Sequence, residues 1–110
     1  MSSPSLVPNL PDAEIYLVLD DFGKQGRAYR EADPDSADRS TVVRDLLRGQ
    51  YNNPISITAF NLAEGWVRDV SEDVAREVVD VARLELERLP ESTQKFVERQ
   101  LGEVPAWPVF

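Results

Sequence analysis

No histidine and no cysteine occur among the 110 residues of this chain. Without cysteine there can be no disulfide, no thiolate nucleophile and no sulfur-ligated metal centre. Without histidine the chain lacks the side chain best matched to proton transfer near neutral pH, which closes Ser-His and Cys-His mechanisms. Zinc centres of the usual His/Cys composition are closed by the same two absences. Acid–base chemistry would have to come from Asp, Glu, Lys, Tyr or Ser, and no cofactor is expected. Long apolar runs are missing too: none approaches the ~20 residues of a membrane-spanning helix. The opening stretch MSSPSLVPNLPDAE has neither the positive region nor the apolar region of a secretory signal. The expected compartment is the cytoplasm.

Positive charge is the next scarcity. Twelve basic residues against twenty acidic ones give a net charge of −8. A chain this acidic repels a phosphate backbone unless its basic residues cluster. Its arginines are instead spread at helical intervals (Arg39, Arg44, Arg48, then Arg76, Arg83, Arg88), most of them three or four residues from a carboxylate. Neither nucleic acid nor a membrane is an expected partner. A hydrophobic fraction of 42% with 29% charged residues is that of an ordinary globular chain, and the length allows one core.

What is present organises itself around residues 55–81, ISITAFNLAEGWVRDVSEDVAREVVDV. Ile55, Ile57 and Ala59 alternate with Ser56, Thr58 and Phe60, the period of a half-buried strand. Gly65 suits the left-handed position that closes a tight turn, and Trp66 to Val70 read as the returning strand. Ser71 is expected to cap a helix whose first turn carries Glu72 and Asp73, where the helix dipole favours carboxylates. Val74, Val78, Val81, Ala82, Leu86 and Leu89 form one stripe, ended by Pro90. A shorter helix over about 92–101 should bury Phe96, Val97 and Leu101 and stop at Gly102.

The first half repeats this plan more loosely. EIYLVLDD reads as a central strand, with Ile15, Leu17 and Leu19 on one face and Tyr16 and Val18 on the other. FGKQG turns the chain into a polar edge strand, RAYREA. An acidic loop then offers Asp35, Ser36, Asp38 and Ser40 as caps for a helix that buries Val42, Val43, Leu46 and Leu47 and ends at Gly49. The order ββαββαα predicts a two-layer α+β domain, a four-stranded antiparallel sheet with helices on one face. Residues 13–102 form that domain, between an N-terminal arm at 1–12 and an apolar, proline-broken tail at 103–110. GRAYRE (26–31) parallels GWVRDV (65–70), and VVRDLL (42–47) parallels VAREVV (74–79). A duplication and the shared demands of any ββα unit both account for this. The stretch AFNLAEGWVRDVSEDVA resembles the core of a small bacterial family of hypothetical proteins, a likeness extending over about 14–80. It carries no catalytic motif and implies no activity.

Several groups invite a functional reading. Asp20-Asp21-Phe22-Gly23 matches the metal-binding DFG of protein kinases, but the glycine-rich loop, strand lysine and HRD that give it meaning are absent; a turn explains it. Asp33, Asp35 and Asp38 could gather round a hard cation, yet an EF-hand starting at Asp33 would need glycine at 38 and glutamate at 44, where Asp38 and Arg44 stand. No metal is expected. Asp20, Asp21 and Glu64, with Tyr29 and Arg30, would make a carboxylate-based site if the two hairpin turns met at one end of the sheet. A small-molecule site would need a cavity behind Ile57 and Val78. The reading favoured by the residues is a non-enzymatic interaction or self-assembly domain. Its partner is an unidentified protein or a second copy, and its contacts are Trp66, Val104, Trp107 and Phe110 together with the edge strand at 27–32.

Overall fold

The computed structural model describes residues 14–30, 38–103 and 105. The chain runs through β1 (Ile15–Asp21), a single 3-10 turn (Gly23–Gln25), β2 (Arg27–Tyr29), α1 (Arg39–Leu47), β3 (Pro54–Asn61), β4 (Trp66–Asp69), α2 (Ser71–Glu85) and α3 (Glu91–Leu101). This is the ββαββαα order of an α+β domain. The strands form one antiparallel sheet in the order β2-β1-β3-β4. Two hairpins therefore lie side by side, with their first strands paired at the centre. Val18 and Ile57 face each other across that central pair, and they are separated by the same 39 residues that separate Gly26 from Gly65. The arrangement is close to two-fold.

The three helices cover one face. Tyr16 and Val18 of β1 meet Ile57 and Ala59 of β3 beneath Val42, Val43 and Leu46 of α1, Val74, Ala75, Val78, Val79 and Ala82 of α2, and Phe96 and Val97 of α3. Each is a short aliphatic or aromatic side chain at strand or helix period, and their removal from water is the main favourable term in folding. Ile55 breaks the alternation. The register slips there, Leu19 pairing with Ser56 and Asp20 with Pro54, so that Ile55 bulges out of the ladder. Its carbonyl accepts a hydrogen bond from Gln100 (2.9 Å), and Arg99 donates to the carbonyl of Pro54, so α3 satisfies the acceptors that the bulge frees.

Helix ends depart from expectation in two places. Ser71 is not the cap of α2. It is buried inside the first turn, where its hydroxyl accepts from the backbone N–H of Ile57 (2.8 Å), and the carboxylate of Asp69 accepts the Ser71 N–H instead. Leu86 is not part of the α2 stripe either. Both α1 and α2 end in the same paired return bonds, Gln50 to Asp45 and Gly49 to Leu46 in the first, Glu87 to Ala82 and Leu86 to Arg83 in the second. In α1 the left-handed position belongs to Gly49 (φ 68°), as expected, and a Cβ there would press on Pro90 at 3.0 Å. In α2 the same position is held by Leu86 at φ 54°, with its side chain 77% exposed. A left-handed leucine costs roughly 1–2 kcal/mol, and this one recovers nothing by burial. Leu86→Gly is expected to stabilise the fold by about 1 kcal/mol in urea unfolding, and a loss on substitution would disprove the account.

Of the four candidate caps Asp35, Ser36, Asp38 and Ser40, it is Asp38 that caps α1, accepting from the Thr41 N–H (3.2 Å), the Ser40 hydroxyl (2.6 Å) and the Thr41 hydroxyl (2.7 Å). The Ser40 and Thr41 hydroxyls stabilise its charged form and lower its pKa from 3.8 to about 2. Folding lowers this pKa, so the cap contributes fully above the unfolded value near 3.8 and loses its contribution as pH falls through about 2. Asp38→Ala should cost about 1 kcal/mol at neutral pH. In acid titrations followed by circular dichroism, the gap between wild type and variant should close across that window.

Candidate functional site

The face of the sheet away from the helices carries a row of apolar side chains. Antiparallel partners share a face, so the register places Ile15 beside Phe60, Leu17 beside Thr58 and Leu19 beside Ser56. Tyr29 lies outside Leu19, and Val67 outside Phe60. Ile15, Leu17, Leu19 and Phe60 are half-buried, while Tyr29 and Val67 are 52% and 70% exposed. No described helix packs on this side. Charge is confined to its margins, in Asp21 with Arg27 (3.6 Å) and in Asp69. The signal for this face was the run IYLVL, apolar on both sides of the strand in a chain whose helices suffice to cover only one.

At one end of the opposite face lies Asp20, a carboxylate with no exposure at all. Sequence period places it on the buried side of β1 in line with Tyr16 and Val18. The loop before β3 supplies two of its partners, Asn53 N–H at 2.6 Å to one oxygen and Asn52 N–H at 2.9 Å to the other, and Arg30, just after β2, adds its Nη1 at 2.9 Å to the second oxygen. Arg30 is held in turn over the rings of Tyr51 (5.5 Å) and Phe22 (6.0 Å). Burial pushes the Tyr51 phenol up to about 12, so it stays protonated at any physiological pH. Three donors thus converge on the two oxygens of Asp20. The group is a latch between β1, β2 and the α1–β3 loop.

The carboxylate site imagined from Asp20, Asp21 and Glu64 does not form. Because β1 and β3 are antiparallel, Asp20 pairs with Pro54 at the start of β3, whereas Glu64 follows its end. β3, the strand between them, is eight residues long, which at ~3.3 Å per residue separates its ends by roughly 23 Å. Asp21 accepts the N–H of Gly23 (2.8 Å), which makes the DFG-like residues a side-chain-closed turn. Tyr29 points to the open face and Arg30 to the latch, so the five residues divide among three places. Asp38 is occupied as a helix cap, while Asp33 and Asp35 lie outside the described residues; among the described residues, no three metal-ligating side chains converge.

Glu64 belongs instead to the surroundings of Trp66. Its carboxylate accepts the indole N–H at 2.7 Å, and the Arg68 guanidinium lies 4.0 Å over the indole ring. Trp66 is half-buried at the rim of the core on the helix side of β4, with the exposed Arg68 and Glu64 beside it. Val104, Trp107 and Phe110 lie outside the described residues, as do Glu31 and Ala32 of the expected edge strand, of which Arg27–Tyr29 form β2. Pro105 is buried where the chain leaves α3. There it helps line a cleft of about 240 Å³ formed by Arg76, Val79, Asp80, Arg83, Leu101 and Glu103. Ile57 and Val78 are fully enclosed in the continuous core, and the described clefts lie along the helices, lined mainly by charged and polar groups.

Compared with known proteins, the chain matches no family model, no curated protein and no solved structure.

Proposed function

We propose that this chain is a non-catalytic protein-interaction domain that binds through the open face of its sheet. The observation that carries the reading is the apolar ladder Ile15, Leu17, Leu19 and Phe60, flanked by exposed Tyr29 and Val67, on a face that no described helix covers. Contiguous apolar surface of this kind marks a protein contact more often than it marks a catalytic site. The buried titratable group nearest the sheet, Asp20, is committed to holding loops together, which is what a scaffold requires.

Leu17→Glu separates this reading from its competitor, a face covered by the chain's own termini. On a docking surface the substitution should change unfolding free energy by less than about 1 kcal/mol. It should also remove the macromolecules that wild-type protein retains in affinity capture. A loss of several kcal/mol with an unchanged set of retained proteins would show that the face belongs to the chain's own core, and the reading would fall.

A further inference from the structure

We infer that the occupant of the open face is a second copy of this chain, packed sheet to sheet about a two-fold axis. The inference rests on the proposed interaction role and names its partner. Charge argues first. The chain carries −8 overall, so a partner recruited electrostatically would be drawn to its acidic surfaces, yet this face carries charge only at its margins, in Asp21 paired with Arg27 and in Asp69. It is the one broad surface of the described sheet on which two like-charged copies can approach without strong repulsion.

Shape argues second. Large side chains are concentrated on β1, where Ile15, Leu17 and Leu19 form a ridge. Beside it on β3, Ser56 and Thr58 form a shallow lane that ends at Phe60. A two-fold axis along the strands, between β1 and β3, lays the ridge of each copy over the lane of the other. Such a surface is self-complementary, which an isologous interface demands. Face-to-face sheets pack about 10 Å apart with interdigitated side chains, a spacing that Leu17 and Leu19 can fill from either side.

Extent bears on strength. Strands of seven, three, eight and four residues, about 4.8 Å apart and rising ~3.3 Å per residue, give a footprint of roughly 350 Å². That is below the ~800 Å² per partner of a standard interface, so the association should depend on concentration.

The test is the solution mass of the full chain by light scattering and sedimentation over a wide range of concentrations, on wild type, Leu17→Glu and Thr58→Glu, the last placing a second carboxylate opposite Asp69. Wild type should have twice the 12.4 kDa chain mass. Either variant should weaken association by about 100-fold or more, because it places two uncompensated charges in an apolar contact. Thr58 is already a half-exposed polar residue, so its variant remains informative if Leu17→Glu unfolds. A wild-type monomer at every concentration overturns the second-copy inference; if affinity capture then still shows a foreign protein lost on Leu17→Glu, the interaction role stands without it. A dimer that survives both face variants and is lost on Val67→Pro would place the contact at the β4 edge, and would also overturn it.

Discussion

Asp20→Ala should lower the unfolding free energy by about 3 kcal/mol, a large part of the 5–15 kcal/mol typical of a domain this size. The carboxylate is fully buried and receives three donors, two of them backbone N–H groups with no alternative acceptor in the described structure. Removing it leaves those two groups unsatisfied, and each costs roughly 1–3 kcal/mol. The Arg30 guanidinium contributes less to the loss. Its side chain is 41% exposed and keeps its water and its stacking on Tyr51, so its ion pair is discounted accordingly. Asp20→Asn should lie between the two, since its amide retains one acceptor oxygen while its NH₂ opposes a backbone donor. Urea unfolding of the three proteins measures the series. A cost below about 1 kcal/mol for alanine would mean that water can replace the carboxylate, and that the latch is no latch.

Phe96→Ala should cost about 3–5 kcal/mol, the value for deleting a fully enclosed phenylalanine. Phe96 has no exposure, and its helix is tied to the rest of the fold by polar bonds as well as packing: Thr93 donates to the carbonyl of Leu46 at 2.6 Å, and Gln100 to that of Ile55 at 2.9 Å. The variant should unfold in one transition at a much lower temperature. If α3 were an appendage, a small early transition would appear and the main one would hardly move. Phe60→Ala supplies the contrast. The residues are chemically identical, but Phe60 is half-buried on the open face, so in a monomer its deletion should cost about 1 kcal/mol or less.

Much of this architecture was legible because it is local. Gly65 closes the second hairpin and Gly49 ends α1, where backbone geometry leaves few other choices. Val42, Val43 and Leu46 lie where a 3.6-residue period puts them, as do Val74, Val78 and Ala82. What escaped the sequence depends on partners far along the chain. Asp20 looks like a turn carboxylate until the N–H groups of Asn52 and Asn53 arrive, thirty-two and thirty-three residues later. The separation of Glu64 from Asp20 follows from the pairing of β1 with β3, which no local pattern specifies. Leu86 matched the apolar stripe by spacing, but α2 ends one residue before it and the left-handed turn swings it into solvent. The open face was half legible. The two-sided apolarity of β1 announced a second buried side, while the identity of what covers it lies beyond the run itself.

The central β1–β3 pair also governs how quickly the chain can reach this state. Each hairpin closes over a handful of residues and can form in microseconds. Their merger joins Ile15 to Phe60 and Leu19 to Ser56, forty-five and thirty-seven residues apart. That closure carries an entropy cost before any core contact rewards it, so it sets the rate. Until it happens, the inner edges of β1 and β3 stand as two unpaired ladders on separate hairpins, each able to accept the complementary strand of a neighbouring molecule. Antiparallel exchange of whole ββα halves between chains is therefore the misfolding route expected of this topology. Slow refolding at high concentration should trap it.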